Sequence, residues 1–428
     1  MSTQEHSSTQ SVLFSFKTRL LIFFSIFGPA TITAMADNDA AGVATYSLVG
    51  AKFGYSMLFI LLIITFLLAI TQEMGVRIAI VTGKGLGDII RERYGVTMSV
   101  FVFVGLFIAN TGTVIANLSA IKITAGMFNI NSTFFLICII TIATIFIIKG
   151  NYKTNQNIFL LSGFFYLTYI VSAFKARPDW NLAISSVFIP QNMHFSKEFI
   201  FAAIAVLGTT ITPWGQFFVH SYVLDKKIKI DDLKYTQIET YFGAFLTDFF
   251  SFFMIVATAS TLYAHKISLV SGEQAALAIK PFAGELASVL FGFGILNAGF
   301  MGLVVVSLTT AYAFSEFFGV EGSLDKSFGK SKTFYIIFIM QLLIAALIVN
   351  IPSVSLFRIV FFTQSLNGIL LPAMFFFLLT ASNNKDMMGK YINSKWYNYI
   401  AIISSIVIII AAMFTVISNV LGLSNIGG

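Results

Sequence analysis

Eleven apolar runs divide this chain, at roughly 20–50, 55–82, 96–128, 133–149, 156–174, 199–224, 235–263, 284–318, 333–350, 354–381 and 397–421. Each approaches or exceeds the roughly 20 apolar residues a helix needs to cross a hydrocarbon layer. Water cannot solvate so many: only 11% of residues are charged, against about 25% in a soluble domain. The mean hydropathy of +0.87 agrees. Soluble enzymes and disordered chains are excluded, and an all-α polytopic membrane protein of about eleven transmembrane helices is expected. The net charge of +7 fits the loops of such a protein, so no nucleic-acid partner is expected. A single cysteine, Cys138, excludes an internal disulfide and any cysteine metal cluster.

Short polar punctuations separate the runs, among them Asn129-Ile130-Asn131, Asp225-Lys226-Lys227 and Ser382-Asn383-Asn384-Lys385. The Ser/Thr/Gln-rich start reads as a disordered cytoplasmic tail over 1–15, followed by a transporter-like core over 16–381 and an additional C-terminal span in 382–428. Eighteen Lys and Arg fall in alternate segments beginning with the N-terminus, seven fall in the opposite segments, and Lys122 lies within a span. That bias places the N-terminus in the cytoplasm of a multi-pass cell-membrane protein; an odd span count then places the C-terminus outside. Lys17 and Arg19 followed by Ala34-Met35-Ala36 also read as a cleavable leader, but Gly28-Pro29 interrupts the run and the charge count needs the first span to stay.

Two runs break the rule of the membrane. In the first, Asp37-Asn38-Asp39-Ala40-Ala41-Gly42 interrupts the apolar sequence. Two ionised, lipid-facing aspartates at mid-span would cost roughly 5 to 7 kcal/mol, so they must face a cavity or a cation. Asn and Asp compete for backbone hydrogen bonds and Gly42 relaxes the chain, so a helix break is expected there. An outer loop between two short helices is the blander reading, but Leu20–Met35 is too short to span comfortably. The sixth run carries Gly208-Thr209-Thr210-Ile211-Thr212-Pro213-Trp214-Gly215-Gln216, in which Pro213 removes a helical donor. Broken first and sixth helices point to a transporter of five plus five inverted-repeat spans, about 16–174 and 199–381, that gathers a cation at the midplane. Carboxylate, amide, hydroxyl and carbonyl oxygens suit hard ions such as Mg²⁺, Ca²⁺ or Mn²⁺. His220, two turns past Pro213, reads more readily as packing than as a ligand.

These residues resemble the NRAMP family of divalent-metal transporters. Gly28-Pro29-Ala30 through Asp39 to Gly50-Ala51-Lys52-Phe53-Gly54-Tyr55 is similar to its opening segment. Val81-Thr82-Gly83-Lys84-Gly85-Leu86 with Arg91-Glu92-Arg93, Arg177-Pro178-Asp179-Trp180, and Thr363-Gln364 with Leu371-Pro372 match later parts of it. The resemblance implies a LeuT-type fold and an inward metal route. It departs from the family at the metal site: Asp-Pro-Gly-Asn becomes Asp39-Ala40-Ala41-Gly42, and Met-Pro-His becomes Thr212-Pro213-Trp214. The acidic pair of the family's third span aligns with Thr111 and Val114. Loss of sulfur removes the preference for softer metals, and loss of protonatable groups weakens proton coupling. Asn-Asp-Ala-Ala-Gly with Thr-Pro-Trp looks most like the NRAMP-related magnesium transporters.

The resemblance therefore implies import of Mg²⁺, and of Mn²⁺ besides, uncoupled from protons. It assigns Asp39 as charged ligand, the carbonyls of Ala36 and Thr209 as further ligands, Thr212 in place of the sulfur, and Gln364 as the group that closes the site. Asp37 and Asn38 join this metal set on chemistry alone. The ion is cargo and no cofactor is expected; the partners are the divalent ion and the lipid bilayer, with no obligate protein partner. The alternatives are a proton-coupled Mn²⁺/Fe²⁺ symporter or a sodium-coupled organic-solute symporter on the same fold. No nucleophile–base pair or zinc-type histidine cluster supports an enzyme. Asn110, Thr113 and Asn117 share one helix face, serving either helix contacts or a water path. Asp248 is a further buried acid with a functional or a paired structural role. Glu73 and Arg77 read as a helix-surface pair.

Overall fold

The computed structural model describes residues 27–191, 193, 196–269, 274–351 and 356–420, with the backbone only over 356–365 and at 415, 416 and 418–420. The tail expected over 1–15 lies outside them. The described residues are helical throughout, with no strand. The first run is two helices, α1 (Pro29–Asp37) and α2 (Ala40–Phe53), parted at Asn38-Asp39. Next come α3 (Met57–Thr82), α4 (Leu86–Met127), α5 (Ser132–Lys149), α6 (Tyr152–Phe164) and α7 (Leu167–Lys175). A short helix, α8 (Trp180–Phe188), precedes the second broken run, α9 (Lys197–Thr210) and α10 (Pro213–Asp225). The chain ends with α11 (Leu233–Thr258), α12 (Glu285–Phe318), α13 (Lys332–Val349), α14 (Leu356–Ser382) and α15 (Lys395–Val420).

Among the described residues nine helices are long and apolar enough to cross a membrane, or ten if the bent Leu366–Ser382 and Lys385–Tyr391 pair counts as one. Eleven were expected. The difference lies at the first two runs, because Ala40–Thr82 counts as one continuous stretch, and at the tenth run, which enters the count only as the bent pair. The third run also begins earlier than its hydropathy suggests: α4 carries a polar turn at its start and bends at Gly95, whose φ of 82° is left-handed.

Corresponding members of the two halves pack together. α1 lies against α10 and α2 against α9; α3 lies along α11, and α4 along α12. This is the pairing that an inverted repeat produces, and it brings the two breaks face to face. α15 leans on α14 and α9, outside that set.

Polar latches fix the helix ends at one side of the bundle. The carboxylate of Glu239 on α11 accepts from the backbone N–H groups of Gly28, Ala30 and Thr31, at 3.2, 3.2 and 2.6 Å. It thereby satisfies the orphan amides at the start of α1 and meets the positive end of that helix. Lys226 Nζ donates to the Phe27 carbonyl beside it at 2.8 Å, and burial pushes this amine down to about 8. At the start of α4, Glu316 of α12 accepts from Gly87 N–H and from the Ser221 hydroxyl, and a Cβ at Gly85 would collide with its carboxyl. Glu73 and Arg77 are not at the surface: both are buried, Glu73 accepting from the Tyr397 hydroxyl of α15 and Arg77 donating to the Tyr391 carbonyl in the segment leading into that helix. The i,i+4 spacing was read correctly as a pair, but the C-terminal span covers it.

Glu239→Ala leaves three buried N–H groups unsatisfied at about 1–3 kcal/mol each. The expected outcome is a melting temperature several degrees lower in detergent, with Glu239→Gln, which retains an acceptor, falling between the variant and the parent.

Candidate ion site at the two helix breaks

Both breaks are built alike. At the first, Asp39 caps α2, its Oδ1 accepting from the N–H of Gly42 at 2.9 Å. At the second, Thr212 caps α10, its Oγ1 accepting from the N–H of Gly215 at 3.1 Å. A capping side chain followed three residues later by glycine is thus common to Asp39-Ala40-Ala41-Gly42 and Thr212-Pro213-Trp214-Gly215. The glycines are required by close approach. A Cβ on Gly42 would meet the Asp37 carbonyl at 2.9 Å; one on Gly215 would meet Thr212 Oγ1 at 2.9 Å and Asp37 Oδ1 at 3.1 Å.

The breaks are joined through Asp37. Thr212 Oγ1 donates to its Oδ1 at 3.1 Å, and Gln72 of α3 donates to its Oδ2 at 3.2 Å. Asp39 Oδ2 accepts from Asn117 Nδ2 of α4 at 2.9 Å. Each broken helix also frees a carbonyl. Thr209 lies four residues before Pro213, which has no N–H to return to it. The Ala40 N–H, four residues past Ala36, donates to Asn117 Oδ1 at 3.0 Å instead. The negative ends of α1 and α9 are therefore turned toward the gap, which favours a cation there.

A small cavity fills that gap, lined by Asp37, Asp39, Ala41, Thr113, Thr209, Thr212, Trp214 and Asn367. It offers ≈ 10 Å³ to the centre of a water-sized sphere, about one water's worth. Asp37 and Asp39 are 2% and 4% exposed, and no Lys, Arg or His forms an ion pair with either among the described residues. Two carboxylates so enclosed require cationic compensation or protons.

Of the residues expected in the site, Asp37, Asp39, Thr209 and Thr212 meet at this cavity. Asn38 does not point there. Its Nδ2 donates to the Thr247 carbonyl at 2.7 Å and its Oδ1 accepts from Ser251 at 2.9 Å, so the amide ties the first break to α11. Ala36 is absent from the lining, and contributes at most its freed carbonyl. Gln364 lies on α14, but its side chain is outside the described residues. One turn further along the same helix, Asn367 reaches the cavity. Asn117, Gln72 and Asn367 were missing from the expected set. Only Asn117 carried a sequence signal, as the end of the Asn110, Thr113, Asn117 stripe. Met35 turns its thioether toward Gly163 on α6. His220 is buried on α10, with Nδ1 against the Gln216 carbonyl at 2.7 Å. Asp248 accepts from Thr65 at 2.7 Å and joins no ion pair among the described residues.

The chain is 25% identical over 391 residues to the divalent metal cation transporter MntH of Yersinia enterocolitica, covering 89% of this chain and 91% of the relative. It is 23% identical over 409 residues to MntH of Bacillus subtilis, covering 92% of each. In fold it is similar to a manganese transporter from Eremococcus coleocola, with a TM-score of 0.79 at 17% identity over 96% of this chain and 89% of that one. A Na⁺-coupled sialic acid symporter shares the architecture more distantly, with a TM-score of 0.54 at 14% identity over 95% and 96% of the two chains. The model of the natural resistance-associated macrophage protein-like (Nramp) family matches residues 30–418, nearly the whole chain, and the protein belongs to that family.

Proposed function

We propose that the protein is a secondary carrier that imports divalent cations, with Mg²⁺ as its main cargo and Mn²⁺ as another. In this reading transport is uncoupled from protons, the N-terminus is cytoplasmic and the C-terminus is outside. The observation that carries the choice of cargo is the donor set of the cavity. Asp37, Asp39, Thr113, Thr209, Thr212 and Asn367 offer oxygen, and among the described residues no thioether, thiol or imidazole lines the space. Oxygen alone suits a hard ion, and without sulfur nothing discriminates against abundant Mg²⁺. Mg²⁺ also dehydrates reluctantly and needs few direct ligands, which accords with two carboxylates and a few weaker oxygens. At the positions aligned with the family's third-span acids, Thr111 bonds its own helix at the Phe107 carbonyl and Val114 is apolar. Neither carries a proton. The membrane potential supplies about 2.3 kcal/mol per charge per 100 mV, roughly twice that for a divalent ion.

Proton-coupled Mn²⁺ or Fe²⁺ symport is the second reading. The relatives named as divalent metal cation transporters and the fold shared with a manganese transporter favour it, as do the buried Asp248 and His220. A sodium-coupled organic-solute symporter shares the fold too, but enclosed carboxylates among hydroxyl, carbonyl and amide oxygens suit a metal cation better than an organic solute.

Proteoliposomes holding a Mg²⁺-sensitive dye at fixed potential, with internal pH followed in parallel, separate these readings. Saturable Mg²⁺ entry at constant internal pH, lost in Asp39→Ala, is expected. Mn²⁺ entry with acidification and no Mg²⁺ signal would instead establish the proton-coupled reading. Thr212→Met restores a thioether at the second break. It is expected to shift the ratio of Mn²⁺ to Mg²⁺ uptake toward Mn²⁺ by roughly tenfold, the equivalent of about 1.4 kcal/mol.

A further inference from the structure

Asn117 stands in the middle of α4, fully buried, 78 residues along the chain from the carboxylate it touches. Its Nδ2 donates to Asp39 Oδ2 at 2.9 Å and to the Thr113 carbonyl at 2.9 Å, while its Oδ1 accepts from the Ala40 N–H at 3.0 Å. α12 makes room for it: a Cβ on Gly302 would overlap the carboxamide. One side chain thus does two things at the first break. It grips the carboxylate on the side opposite Gly42 N–H, so that both oxygens of Asp39 are held by N–H donors from different helices. It also diverts the one amide that would otherwise close the helix onto the Ala36 carbonyl.

We infer that Asn117 is a positioning residue of the ion site, an inference that rests on the reading of the two breaks as a divalent-cation site. The one carboxamide of the first break, Asn38, is tied to α11, and α4 supplies the carboxamide that reaches Asp39. The carboxylate plane of Asp39 is fixed, and each of its oxygens retains lone pairs for the ion. The Ala36 carbonyl is left without its helical donor, Ala40 N–H. A group that orients a ligand in this way acts on affinity more than on the rate of the conformational cycle; loss of such an outer partner commonly weakens metal binding by about 10- to 100-fold.

Asn110 provides the control. It lies two turns earlier on the same helix, is equally buried, and makes one interhelical bond, from Nδ2 to Thr310 Oγ1 at 2.8 Å, away from the cavity. The experiment is calorimetric titration of MgCl₂ and of MnCl₂ into the full-length protein in detergent, for the parent, Asn117→Ala, Asn117→Leu and Asn110→Ala. Melting temperatures, and KM and Vmax of uptake into liposomes, are measured on the same preparations. Leu fills the volume of the amide without its polar atoms, so packing is separated from hydrogen bonding. The expected result is that both Asn117 variants bind the ion roughly 10- to 100-fold more weakly. Their KM rises accordingly while Vmax stays within about twofold. Asn110→Ala lowers the melting temperature without changing affinity. Parent-like affinity in both Asn117 variants would overturn the inference, as would an equal loss of affinity in Asn110→Ala. A parent that binds Mn²⁺ but not Mg²⁺ would refute the choice of cargo while the Asn117 comparison is read with Mn²⁺. A parent that binds neither ion would overturn both.

Discussion

Everything in this structure depends on how two interrupted helices satisfy their backbone and their charges in the interior of the helix bundle. An unpaired amide or carbonyl in hydrocarbon costs several kcal/mol. Each break answers with a side-chain cap, Asp39 on Gly42 and Thr212 on Gly215, and the hydroxyl of the second cap also donates to Asp37 beside the first. The caps leave carbonyl ends turned inward and two carboxylates enclosed. What remains unsatisfied is negative charge, which is the condition a bound cation would meet.

The surrounding helices are arranged around this shortfall. Asn117 of α4 and Gln72 of α3 hold the two acids by N–H donors, and Asn38 is anchored to α11. At the helix ends, Glu239 pins the start of α1 and Glu316 ties α4 and α10 to α12. α1 and α10 are thus each fastened at both ends, one end at a break and one at a latch.

Much of this was legible in the sequence. Apolar runs of membrane length fix the helices, because hydrocarbon thickness leaves few choices. Asp37, Asp39 and Pro213 announce the breaks, because charge and a missing N–H are costly in a spanning helix. What was not legible shares one cause. Side chains at a break leave the 3.6-residue period, so nothing in the sequence shows that Asn38 turns to α11 while its neighbours on either side face the cavity. Partners supplied by distant helices are equally hidden: Asn117 looked like any interhelical amide, and Asn367 lies one turn beyond the residue the family motif suggests. The Glu73–Arg77 pair has surface spacing, and only the packing of the C-terminal span buries it. Gly95 bends α4 where the sequence is merely polar.

The proposed function requires a single divalent ion between the two breaks, held by oxygens from both. Anomalous diffraction from crystals soaked in Mn²⁺, whose scattering distinguishes it from water, would locate that ion. One strong peak is expected in the gap, within about 2.0 to 2.6 Å of oxygens of Asp37 or Asp39 and of the Thr209 carbonyl or Thr212 hydroxyl. A peak at Asp248 alone, or none between the breaks, would contradict it.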